Sequence, residues 1–413
     1  MTRSRQTALI WLTIILLILG IFFRFGNIDR KIHSPEETIT YLRISGYNEL
    51  EFVEHILSGK VINSQELFKY QRINAEKGWQ DSIKEIANHP DKAPLYYLMA
   101  RLWTQIFGSS LAALRFFSAL IAILAFPAVY LLCRELFGLP LTRWTALATI
   151  SISPFHVLFA GEGQPLTLVT TTILLSSAAL LRAMRVNTIS SWLIYSALVA
   201  VGFYSHWFFS CVAIAHLIYV LFAERMRPNR IVLSFLISFA IASITAIPLI
   251  ANINLTIPLF YRDISQIWRQ TPSLETIESW VLDLTRPFFD LDRGWCIPTQ
   301  DPECQTLLNY EQSLLYILAI PLLFLVIYSI YFLFKNAPRR VGLFILVLIG
   351  GIFIDLVLPD VSRVGTGGDY ETVHRYVLPY LIGVELAVAY CISNKIADTY
   401  DRFWQHKFWQ SVL

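Results

Sequence analysis

The run "ALIWLTIILLILGIFF", Ala8 to Phe23, is too long and too uniformly apolar for an ordinary core helix. Backbone polar groups in lipid have no water to bond to, so a chain with such runs is confined to membrane helices or closed barrels. No small-x-small cleavage pattern follows the run, so an uncleaved anchor fits better than a signal peptide. Apolar stretches continue along the chain, which is 55% hydrophobic and only 15% charged over 413 residues. Ten spans are predicted, near 8–24, 113–133, 142–160, 166–183, 190–206, 208–223, 231–251, 312–334, 341–358 and 376–393. The fold class is therefore an all-α polytopic membrane bundle.

The short breaks carry the orientation. Arg3 and Arg5, Arg134 and Arg143, Arg182 and Arg185, Arg225 to Arg230, Lys335 to Arg340, and Lys395 to Lys407 fall on one face of a ten-span chain. Lys and Arg favour the cytoplasmic side, which puts both termini there and points to the plasma (inner) membrane. The opposite, outer face receives loops 25–112 and 254–311 and the short segments 161–165 and 359–376. Residues 1–393 form one unit; 394–413 read as a cytoplasmic tail or the start of a further span. "PLYYLMARLWTQIFG", 94–108, is too short to cross and reads as an interfacial helix. A net charge of +3 without a basic patch excludes a nucleic-acid footprint. There is no repeat and no glycine-rich phosphate loop. Cys133, Cys211 and Cys391 sit in or beside apolar runs as packing residues. Cys296 and Cys304 share one polar loop, where either a disulfide or two thiols is compatible with the spacing.

Five polar stretches meet the outer face: Glu36, Glu37 and Arg43; His89, Asp91 and Lys92; His156 and Glu162; Tyr204 and His206; and Arg363, Asp369, Glu371, His374 and Arg375. Charged residues at helix ends often only mark the interface. Adjacent Glu36 and Glu37 are harder to dismiss, because two neighbouring carboxylates near lipid need cations to answer them. Arg43 lies two helical turns from Glu36 on the same face and is the expected cation. A carboxylate there suits general-base chemistry on a hydroxyl, and nearby cations suit a phosphate leaving group. Such a set permits glycosyl transfer from a polyprenyl-phosphate sugar without requiring it.

Several stretches resemble one family. "EETITYLRISGY", "HPDKAPLYYLMARLW", "LRFFSALIAILAFPAVYLLCRELFG", "SPFHVLFAGEGQPLTL" and "HRYVLPYLIGVELAVAY" occur in the order and spacing of the GT-C membrane glycosyltransferases, most nearly family 39, with its protein mannosyltransferases and aminoarabinose transferases. The likeness covers most of residues 8–393. It implies a GT-C-type bundle and an inverting hexosyl or pentosyl transferase that uses a lipid-phosphate sugar donor on the outer face. Membrane lipid, the polyprenyl-phosphate sugar and a protein, lipid or polysaccharide acceptor are the implied partners. No cofactor is required, and no spacing signals a divalent metal.

Position by position, the resemblance puts Glu36 at the catalytic aspartate, with Glu37 and Glu162 as companion acids. Arg375 matches the arginine before the last shared span and becomes the donor-phosphate candidate, with Lys92, Arg43 and Arg363 as substitutes for the arginine absent at Gln164, while His89, Tyr97, Gln164 and His206 are the acceptor or site-shaping candidates. The departures are Glu36 for aspartate, an interrupted "HPP", and Gln164 where the pattern has arginine. A degenerate, binding-only relative is therefore the first alternative. A transporter is the second, disfavoured because the charges crowd the outer mouth rather than mid-membrane.

Overall fold

A computed structural model describes residues 3–31, 33–59, 61–74, 76–88, 93–206, 208–249, 284–289, 302–350, 378–397 and 410–412. Its elements are all helices among the described residues. They are α1 (Arg3–Phe25), α2 (Pro35–Ser45), α3 (Glu49–Ile56), α4 (Ser64–Gln71), α5 (Trp79–Asn88), α6 (Leu95–Phe107), α7 (Leu111–Leu136) and α8 (Pro140–Ile152). There follow α9 (Pro154–Ala160), α10 (Leu166–Val186), α11 (Ile189–Ser205), α12 (Phe209–Ala223), α13 (Arg230–Thr245), α14 (Pro302–Asn336), α15 (Arg339–Gly350) and α16 (Leu378–Ala397).

Each of the ten predicted spans overlaps a helix, and among the described residues α7, α10, α14 and α16 are the four that are long and apolar enough to cross a membrane by length and composition. A count of ten crossings is not established by these lengths, because α1, α11, α12 and α13 contribute shorter apolar stretches. The chain is an integral membrane protein. Two boundaries need correction. The span expected over 142–160 is two helices, because Ser153–Pro154 ends α8 and starts α9; proline has no N–H to extend the ladder. The loop expected over 254–311 is helical from Pro302, where α14 begins.

α10 is buried on nearly every face, packed between α7 and α11, while α16 lies against α8, α14 and α15. α1 closes the bundle along α8. Its outward face shows Trp11, Ile18 and Phe22, the pattern of a helix whose partner on that side is hydrocarbon. A second core joins the extramembrane helices to this frame: Tyr41 and Ile44 of α2, Ile86 of α5 and Tyr96, Tyr97 and Ala100 of α6 pack with Leu114, Phe117, Ile121 and Leu168 of α7 and α10. α6 is the predicted interfacial helix. It turns Tyr96, Tyr97, Arg101 and Thr104 inward and leaves Leu102, Ile106 and Phe107 exposed. That inverted amphipathicity suits a helix lying on lipid.

Candidate active site

The first turn of α2 sets the geometry. Ser34 caps the helix and Pro35 occupies its first turn. The Ser34 hydroxyl accepts the Glu37 N–H at 3.3 Å, and the Glu37 carboxylate accepts the Ser34 N–H at 3.1 Å. This is a capping box. The same carboxylate also reaches beyond its own helix. Arg115, in the first turns of α7, donates Nε–H to Glu37 Oε1 and Nη2–H to Oε2, both at 2.7 Å. The Gly163 N–H adds a third long-range bond at 2.9 Å. Both partners of the ion pair are wholly buried. The remaining Arg115 donor, Nη1, bonds the Ile28 and Lys31 carbonyls at 2.9 and 3.0 Å. One arginine thus ties the chain after α1 to α2 and α7.

Burial alone would raise the Glu37 carboxyl, but the Arg115 bonds, the Gly163 amide and the Arg115 charge together hold it below its ordinary value. A carboxylate so satisfied is a poor proton acceptor. Its neighbour Glu36 is partly exposed. Because Glu37 bonds Gly163, the α2 start and the turn between α9 and α10 meet, bringing Glu36 and Glu162 to one junction. Gln164 is buried and donates its side-chain amide to the Glu162 carboxylate. A Cβ at Gly163 would sit 2.6 Å from Leu114 Cδ2, so a larger residue there would have to displace that side chain.

The cation expected to answer the two acids is a correction. Arg43 donates to Tyr97 Oη and to the Glu49 carboxylate, each at 3.1 Å, and stacks on the Tyr97 ring. It therefore fastens α2 to α6 and α3, and it is not the partner of the Glu36–Glu37 pair. The cation that answers Glu37 is Arg115, a position to which the sequence pattern assigned no role. Its signal was present all the same: an arginine in the first turns of a membrane helix has to find an acid or backbone carbonyls.

Tyr97 is buried beneath Arg43. His206 caps the end of α11, accepts the Phe208 N–H at 3.2 Å and stacks on the Phe208 ring. His156, predicted deep in a span, lies in α9 and pairs with Glu385 of α16 at 3.0 Å, both buried. His89, Asp91, Lys92, Arg363, Asp369, Glu371, His374 and Arg375 lie outside the described residues, as does the Cys296–Cys304 question. Among the described residues no group of three or more His, Cys, Asp or Glu side chains is placed to hold a metal ion.

The arrangement is a bundle of apolar helices with a buried Glu37–Arg115 pair beside the partly exposed Glu36. Residues 89–251 match the family model described as dolichyl-phosphate-mannose-protein mannosyltransferase. The apo oligosaccharyltransferase of Archaeoglobus fulgidus shares the fold at 13% identity and a TM-score of 0.55, over 97% of this chain and 54% of that one. The same organism's enzyme in complex with an inhibitory peptide and a dolichol-phosphate aligns at 13% identity and a TM-score of 0.49, over 100% and 54%. The chain spans about half the length of these structures. A search of curated proteins gives no match. The family match and the shared fold are consistent with the GT-C superfamily of membrane glycosyltransferases.

Proposed function

We propose that the chain is an inverting glycosyltransferase that moves a sugar from a polyprenyl-phosphate donor to a hydroxyl acceptor on the outer face of the membrane. The observation that carries this reading is the Glu37 lock, whose bonds to Arg115 and to the Gly163 N–H bring the start of α2 to the turn that carries Glu162. The family description names a lipid-phosphate-linked sugar, and that is the donor class we assign.

In this mechanism the Glu36 carboxylate takes the acceptor's hydroxyl proton as the oxygen attacks the anomeric carbon. The bond from that carbon to the phosphate oxygen breaks with its electron pair on the phosphate. Polyprenyl phosphate leaves already charged, so no general acid is needed, and the Glu36 proton passes to water. Glu162 orients the acceptor. Glu37 acts as a positioning residue, a narrower role than its place in the sequence pattern implies.

The test is transfer from a panel of radiolabelled polyprenyl-phosphate sugars by the purified protein in lipid, beside Glu36→Gln. Loss of about 100-fold or more in the folded variant is expected for removal of a general base. Equal transfer by both proteins would refute Glu36 as the base. A wild type that binds the donor without transfer would make the chain a binding-only relative.

A further inference from the structure

We propose that Lys31 is the cation that holds the donor phosphate. This rests on the reading above, and it names a residue that the sequence pattern did not mark.

Lys31 follows α1, and its position is fixed because its carbonyl accepts an Arg115 N–H at 3.0 Å. Its side chain crosses the turn between α9 and α10. A Cβ built on Gly161 would overlap the Lys31 ammonium and approach Cδ to 3.3 Å, so the lysine side chain runs against the open face of this glycine. Arg115 and Glu37 neutralise each other as a closed pair. Glu162 is the largest opposing charge, yet it accepts the Gln164 amide and makes no ion pair with Lys31 among the described residues. Gln164 is neutral and brings no charge of its own. Burial lowers the Lys31 pKa, with Glu162 and Glu37 pulling the other way and Arg115 adding to the fall. An ammonium kept half-buried without an ion-pair partner among the described residues costs solvation that an incoming anion restores. The anion brought to this junction by the proposed reaction is the lipid phosphate, whose negative charge grows as the sugar leaves.

The experiment is binding of undecaprenyl phosphate, with undecaprenol as the phosphate-free control, to the full chain in nanodiscs. Lys31→Gln should weaken undecaprenyl-phosphate binding by about 10- to 100-fold and leave undecaprenol unaffected, the range of one charged hydrogen bond. Lys31→Arg should stay close to wild type. In the transfer assay the loss should appear in the KM for donor more than in kcat. If Lys31→Gln does not fold, Glu162→Gln carries the test: removing the competing acid should tighten undecaprenyl-phosphate binding a few-fold, roughly the scale of one screened charge. Wild type that binds undecaprenyl phosphate, with Lys31→Gln binding equally, overturns the role of Lys31 and leaves the proposed function standing. Unchanged or weaker binding by Glu162→Gln overturns that role too. Wild type that binds no better than it binds undecaprenol overturns both.

Discussion

Replacing Arg115 by Met should undock α2 from the bundle. The substitution keeps volume and helix propensity but strands the Glu37 carboxylate. Two charge-assisted bonds of 2.7 Å disappear, and the Ile28 and Lys31 carbonyls lose their donor. The Gly163 and Ser34 N–H groups still face the acid, with the His33 ring 3.9 Å away. Removing one partner of a buried pair costs about 3–5 kcal/mol, which is roughly two to three and a half orders of magnitude in a local opening equilibrium. Hydrogen exchange of the α2 amides reads that equilibrium directly. Glu37→Gln combined with Arg115→Met should recover part of the loss, because the stranded charge is gone, and the cycle isolates the pair's coupling. The wild type carries a pH signature. The Glu37 pKa is lowered in the folded state, so its stabilisation is present above the ordinary value of 4.5 and fades as pH falls through the folded value. In Arg115→Met the carboxyl is buried without its cation, its pKa rises, and exchange should slow on mild acidification. Exchange of α2 altered less than about tenfold in a folded Arg115→Met protein would refute the argument that this pair docks the helix.

Other perturbations probe the frame. Gly20→Ala should weaken α1–α8 packing, since a Cβ would meet the Ser151 carbonyl carbon at 2.7 Å; an overpacking cost of about 1–3 kcal/mol is expected in detergent-denaturation curves. His156→Ala should cost about 3–5 kcal/mol by leaving Glu385 buried without its partner, with Glu385→Gln restoring part of the loss in the same measurement. Tyr97→Phe removes the hydroxyl that accepts from Arg43 and should cost about 1 kcal/mol, with little effect on transfer.

The helices were legible because lipid demands long apolar runs, and those runs are written continuously in the chain. α6 was legible for the opposite reason, being apolar yet too short to cross. The break at Ser153–Pro154 was a local signal overridden by the surrounding apolar run. The site was only half legible. Glu36, Glu37 and Glu162 stood out as acids at membrane mouths, and the turn holding Glu162 does dock on α2. The cation went to the wrong residue because helical spacing says which side chains share a face but not what that face meets. Arg43 turns to Tyr97, while Arg115 arrives from 78 positions away in sequence. Lys31 escaped notice because a lysine after a membrane helix looks like an interface marker until Gly161 shows where its side chain runs.

The Glu37 carboxylate closes its own helix's cap and also binds Arg115 and Gly163. Local order and long-range assembly therefore share one functional group. α2 has little means to persist as a detached helix, because the atoms that start it are those that anchor it. Helix formation and docking become a single cooperative step, and Glu36, one residue earlier, takes its place only when that step is complete.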